Sequence, residues 1–189
     1  VLFRSDEMVF EGSSFESICT LRPGMDKQTL IINAVSKTYS MTGWRVGWTV
    51  GPADVVKAMG GIQSHSTSNP TSIAQAAALE AITGPQDAVP MMLSAFQTRR
   101  DAISKLLAEI PGVTYAKPEG AFYIFPDFSA HFTGDIKGSN DLAIHLLDTV
   151  QVALVPGGAF GDDRCARLSY ATSMDNIEAG VERIARALA

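Results

Sequence analysis

The chain has 189 residues, 46% of them apolar and 19% charged, a balance that excludes an intrinsically disordered chain and suits a packed core in one large or two small domains. Its formal charge of -5 offers no basic face to nucleic acid, and no apolar run approaches the roughly 18 residues of a membrane span. Cys19 and Cys165 stand far apart without CxxC spacing, so reduced thiols in the cytoplasm are expected rather than a metal site or disulfide framework.

The first readable element is a strand around Met8–Phe10, closed by a turn at Gly12. The apolar run Leu30–Val35 reads as a buried strand, which puts Lys37 of the Ser36-Lys37 pair at a strand's end. Eight residues on, Arg45 lies within Gly43-Trp44-Arg45-Val46-Gly47-Trp48, where two glycines permit a tight backbone and two tryptophans supply rigid apolar surface. A lysine amine can form a Schiff base with a carbonyl, and an arginine fork matches phosphate. Eight residues reach about 26 to 29 Å when extended, so a folded-back loop could hold both ends of one small ligand carrying an aldehyde and a phosphate, such as pyridoxal phosphate. From the spacing alone, a solvated strand-end lysine and a surface arginine are the plainer reading.

Beyond this loop, residues 46–50 read as a strand closed by Gly51-Pro52, and Pro52 fits the first turn of a helix running to about Met59. Residues 64–72 have loop chemistry, 71–82 form a small-residue helix, and Gly84-Pro85 breaks it. From 86 to 110 the spacing of Met92, Phe96, Ile103, Leu106, Leu107 and Ile110 predicts a long helix, with Arg99, Arg100 and Asp101 on its solvated side and Pro90 as an early interruption. Pro111-Gly112 ends it. Strands are expected at 113–115 and 121–125, a loop at 128–138, and a helix at 140–150 with Leu142, Leu146 and Leu147 inward. A strand at 152–155 leads into the glycine-rich turn 156–161, whose spacing is not a dinucleotide fingerprint. Arg167 lies within the apolar strand 166–171, where an unpaired charge is costly; either an internal carboxylate or a ligand's would satisfy it. Ser173 caps a closing helix with Asp175 in its first turn and Ile177, Val181, Ile184 and Leu188 as its inward stripe. His65, His131 and His145 have no ligand pattern around them.

The string SKTYSMTGWRVGW resembles the cofactor-lysine segment of the class I and II aminotransferases, the aspartate-aminotransferase-like branch of the pyridoxal phosphate enzymes of fold type I. Pro-Gly-x-x-Phe-Gly at 156–161, followed by Arg-Leu-Ser-Tyr-Ala at 167–171, resembles the family segment whose arginine binds the substrate α-carboxylate. The resemblance implies an α/β fold: the C-terminal part of the fold type I large domain over residues 1–85, then the interdomain helix and the α+β small domain over 86–189. It implies pyridoxal phosphate as cofactor and no metal. Lys37 becomes the Schiff-base lysine and proton shuttle, Ser36 and Arg45 cofactor ligands, and Arg167 the substrate anchor.

The strand at 121–125 reads as core, but Pro118-Glu119-Gly120-Ala121-Phe122-Tyr123 also resembles a family strand whose phenylalanine approaches the substrate, which would give Phe122 that place. The resemblance likewise implies that the loop containing Ser68 and Asn69 lies at a homodimer interface formed by the large domain. Val9-Phe10-Glu11-Gly12 aligns with the end of a family segment whose functional aspartate and tyrosine then fall at Leu2 and Ser5; Asp6 reads as a turn or helix-end carboxylate. The expectation is therefore the second half of an aminotransferase, inactive alone, whose parent passes an amino group from an L-amino acid of the aspartate, aromatic or alanine type to a 2-oxo acid by a ping-pong aldimine mechanism. A lyase of the same fold and a noncatalytic dimerising remnant are the alternatives.

Overall fold

In the computed structural model residues 8–189 are described, so the readings at Leu2, Ser5 and Asp6 lie outside the described residues. The chain divides into two compact units, the first ending at Leu93 and the second running from Ser94 to Ala189.

The first unit is built on a two-stranded antiparallel ladder of β1 (Ile31–Ala34) and β2 (Gly47–Val50), paired from Ile31 with Val50 to Ala34 with Gly47. Glycine is required at 47, because an added Cβ would lie 2.8 Å from the Asn33 carbonyl oxygen. Helix α1 (Ala53–Ser66) follows, with Pro52 as its N-cap rather than inside its first turn. It runs past Met59 through Gly60 and Gly61, which overturns the expected stop: two glycines weaken a helix by about 1 kcal/mol each without terminating it. His65 is therefore helical. Helix α2 (Ser72–Thr83) begins where the Ala74 N–H donates to Thr71 Oγ1 at 3.3 Å, buries only Ala74 and Ala78, and stops at Gly84.

Helix α3 (Ala88–Ala108) contains the boundary between the units. Pro90 does not interrupt it, because the third helical residue has no intrahelical acceptor for an N–H to lose. Arg100 departs from the solvated side assigned to it. It is 7% exposed, with Nη2 2.8 Å from Asp101 Oδ1 and Nη1 donating to the Pro118 carbonyl at 3.4 Å. A satisfied guanidinium can be buried where an unpaired one cannot.

The second unit holds a three-stranded antiparallel sheet of β3 (Tyr123–Ile124), β4 (Val155–Pro156) and β5 (Ala166–Ser169) in the order β3-β5-β4. Tyr123 pairs with Ser169 and Val155 with Arg167. The strands are shorter than the apolar runs suggested. Ala121 adopts a left-handed φ of 60° just before β3, and Pro156, lacking an N–H, confines β4 to an edge. Residues 113–115 contribute a single bridge, Thr114 to Asp127. Helices α4 (Ser139–Val150) and α5 (Met174–Leu188) complete the unit. Leu142 and Leu146 are fully buried, while Leu147, one residue and about 100° further round the helix, is 51% exposed rather than inward. On α5 the Asn176 N–H donates to Ser173 Oγ at 3.3 Å, and Ile177, Val181 and Ile184 are buried. Among the described residues no helix is long and apolar enough to cross a membrane.

Candidate active site

Because the β1–β2 ladder closes at the Ala34–Gly47 pair, residues 35–46 form one connection leaving one end of it. Lys37 lies just past β1 and Arg45 just before β2, so strand pairing returns both to the same end of the hairpin. The lysine side is well packed: Val35, Ser36 and Thr38 are buried and Lys37 is half-buried. Its turn is closed by the Tyr39 N–H on the Val35 carbonyl and the Ser40 N–H on the Lys37 carbonyl, both at 3.2 Å. The Tyr39 hydroxyl donates to Gln86 Oε1 at 3.1 Å, tying the loop to the segment before α3.

The arginine side is open. A single 3-10 turn, Thr42–Trp44, ends at Arg45, which takes a left-handed φ of 55° and donates from Nη1 to the Thr42 carbonyl at 2.8 Å. A left-handed conformation costs a residue with a Cβ about 1–2 kcal/mol; here it turns the arginine side chain back over its own turn. Arg45 lines a cleft of about 600 Å³ with Trp44, Gln63, Thr67, Asn69 and Thr71. Lys37 and Ser36 do not line it. Asn69 Nδ2 donates to the Pro70 carbonyl at 2.8 Å, and Ser68 has a left-handed φ of 62°. An amine on a half-buried turn, a buried hydroxyl beside it and a guanidinium on the same connection form a donor set that fits a ligand with an electrophilic carbon and an anionic group.

In the second unit Arg167 lies on β5, the central strand. Its guanidinium carbon lies 4.5 Å from the centroid of the Tyr123 ring and 4.8 Å from that of Phe160. Among the described residues no carboxylate forms an ion pair with it. Two ring faces thus do the work that an internal salt bridge was one candidate to do. Cation–π contacts contribute about 0.5–2 kcal/mol each and occupy no strong acceptor, so the N–H fork keeps its capacity for a carboxylate. Phe125 packs edge-on against Phe160 with centroids 5.9 Å apart, and Phe122 lies 4.5 Å from Tyr123. Phe122 is buried at 7% exposure and its neighbour Tyr123 is the one that meets the arginine.

The backbone on either side of this bracket is fixed by close contacts. Tyr170, fully buried, donates its hydroxyl to the Ala121 carbonyl at 3.1 Å, and burial pushes its phenol well above the usual range. Gly157 heads the turn Gly157–Phe160; a Cβ there would overlap the carbonyl oxygens of Cys165 and Asp162. Nearby, Arg164 bridges Asp162 at 2.7 Å and Asp127 at 3.4 Å. Burial raises the Cys165 thiol above its ordinary value, so it is a poor nucleophile at neutral pH. His131 Nε2 lies 2.8 Å from the Pro111 carbonyl oxygen, and no cluster of three metal-ligating side chains occurs among the described residues.

Sequence reasoning missed Tyr123 and Phe160. The signal for Tyr123 was alternation: Ser169, its partner on β5, is two residues from Arg167 and shares its face. Phe160 carried no such signal, because it reaches the arginine from a turn rather than from a strand.

The sequence profile of the family described as aminotransferase class I and II matches residues 6–184. An aspartate aminotransferase of Geobacillus stearothermophilus is 49% identical, over 98% of this chain and 49% of that protein. An asparagine–oxo-acid transaminase of Streptococcus mutans is 44% identical, over 97% of this chain and 48% of its own. The crystal structure of the aspartate aminotransferase from Rhizobium meliloti superposes with a TM-score of 0.92 at 41% identity, covering 98% of this chain and 48% of that one. The chain therefore spans about half the length of the relatives it matches.

Proposed function

The chain belongs to the class I and II aminotransferase family, and from that membership we propose that it forms part of a pyridoxal-phosphate-dependent enzyme moving an amino group from an L-amino acid of the aspartate, aromatic or alanine type to a 2-oxo acid. The observation that supports this most is the single connection 35–46, which carries Ser36, Lys37 and Arg45 out of and back into one strand pair. Pyridoxal phosphate, when bound, supplies the aldehyde that carries the amino group and a ring that stabilises the carbon losing its proton. Lys37 would hold the cofactor through its Nζ amine, and the same amine would take up and return the substrate α proton. Arg45 grips the phosphate through its fork, with the Ser36 hydroxyl as a second donor. Arg167 takes the substrate α-carboxylate in a bidentate pair and so orients the α carbon.

In this reading residues 1–85 belong to the large, cofactor-binding domain and 86–189 to the interdomain helix and small domain. The parent acts as a homodimer through the large domain. Ile62, Ile73 and Leu79, at 72%, 73% and 63% exposure on α1 and α2, suit a surface that a second copy and the rest of the large domain cover. The two free cysteines suit a cytoplasmic setting.

Borohydride reduction of the chain with pyridoxal phosphate, followed by peptide mapping, tests the assignment. The expected result is a stable adduct at Lys37 that Lys37→Ala abolishes and Arg45→Ala weakens. Labelling spread over surface lysines and unchanged by either substitution would overturn it.

A further inference from the structure

Resting on the reading of Arg167 as the carboxylate anchor, we propose that Ser139 is a positioning residue for it, tethering the Gly157–Phe160 turn so that Phe160 stays against the guanidinium. The two rings that bracket Arg167 are supported differently. Tyr123 stands on the sheet, paired with Ser169, and follows Phe122, whose carbonyl accepts from the Tyr170 N–H at 3.0 Å. Phe160 stands on a short turn outside the sheet and is 50% exposed, so its ring goes where the turn's backbone sends it.

That backbone is tied to one side chain. Ser139, the first residue of α4, is fully buried. Its hydroxyl donates to Asp163 Oδ1 at 2.6 Å and accepts from the Gly158 N–H at 3.1 Å, while its own N–H donates to the Asp163 carbonyl at 3.0 Å. A hydroxyl is the smallest group able to donate and accept at once, and here it joins the start of α4, the glycine turn and the segment leading into β5. The bond to a carboxylate is charge-assisted and short, the stronger kind. Gly158 lies two residues before Phe160, so loss of the tether frees the turn at the point that aims the ring. With Phe160 gone from one face, Arg167 loses half of the support that holds its fork without using any of its N–H groups.

Asp163 is exposed, so it can be changed without opening the core. In the isotopically labelled chain the Arg167 side-chain NMR signals are displaced by the ring currents of Tyr123 and Phe160, and succinate serves as the carboxylate probe. Asp163→Ala and Ser139→Ala are expected to reduce the displacement and weaken the succinate response of Arg167 by at least about ten-fold. Asp163→Asn, which keeps an oxygen acceptor for the Ser139 hydroxyl, should restore both to within about two-fold. Unchanged displacement and affinity in a folded Asp163→Ala chain would overturn the proposal. A ring displacement that depends on Asp163, with no response of Arg167 to succinate in any chain, would support the tether and remove the carboxylate reading instead.

Discussion

The two compact units differ in what their helices bury. In the second, α4 and α5 place Leu142, Leu146, Ile177, Val181 and Ile184 in a core shared with Ile124, Phe128 and Tyr170, all at 4% exposure or less. In the first, α1 has no buried residue, α2 buries two alanines, and the ladder leaves Trp48 and Val50 at 37% and 56% exposure. Two strands alone make a marginal sheet, and small buried alanines contribute little hydrophobic free energy, against about 1.5–3 kcal/mol for each fully buried large side chain. The arginine bracketed by rings therefore sits in a unit with a packed apolar core, whereas the lysine loop sits in a unit whose helices leave large apolar side chains exposed. That contrast fits a chain spanning about half of its relatives' length.

Both tryptophans, Trp44 and Trp48, lie in the first unit, so fluorescence follows that unit while amide or methyl NMR follows the second. The largest expected effect is from Leu142→Ala, which should destabilise the second unit by about 2–5 kcal/mol and leave the tryptophan transition in place. The matching change in the first unit, Ile62→Ala, should fall within about 0.5 kcal/mol of the parent. Gly157→Ala forces a methyl group onto two carbonyl oxygens and should cost the second unit about 1–3 kcal/mol, read from its denaturant midpoint. Gly60→Ala goes the other way: nothing lies within 4 Å of an added Cβ, so it should stabilise α1 by about 0.5–1 kcal/mol and raise helical circular dichroism.

The smallest effect is acid sensitivity. The side chain and backbone N–H of Ser129, and then Arg164, hold the Asp127 carboxyl below its ordinary value of 3.8. A depressed carboxylate contributes stability that is complete above that ordinary value and is lost as pH falls through the lower folded one. Thermal unfolding of the second unit should therefore weaken below about pH 3.8, and Asp127→Asn should make that decline shallower while leaving the fluorescence transition of the first unit unchanged.

Local chemistry made some of this legible in the sequence. Lys37 and Arg45 stand in one uninterrupted string that the family resemblance singles out, and the buried face of α5 and its Ser173 cap follow from periodicity and capping alone. What could not be read depends on partners distant in the chain. Arg100 looks solvated beside Arg99 and Asp101, yet it is buried because the Pro118 carbonyl, eighteen residues away, helps satisfy it. Phe160 meets Arg167 through a turn whose shape depends on Ser139, nineteen residues before Gly158. Leu147 looked equivalent to Leu146, and only the direction from which the sheet approaches α4 distinguishes them.

The contrast between the units is tested most directly by amide hydrogen exchange with peptide-level mass spectrometry on the chain alone. Peptides from α1 and α2 should exchange orders of magnitude faster than those covering Leu142–Leu146 and β5, since protection follows buried apolar contact. Equal protection in the two units would contradict the account, because it would mean that the lysine-bearing unit is already closed and needs nothing further to cover it.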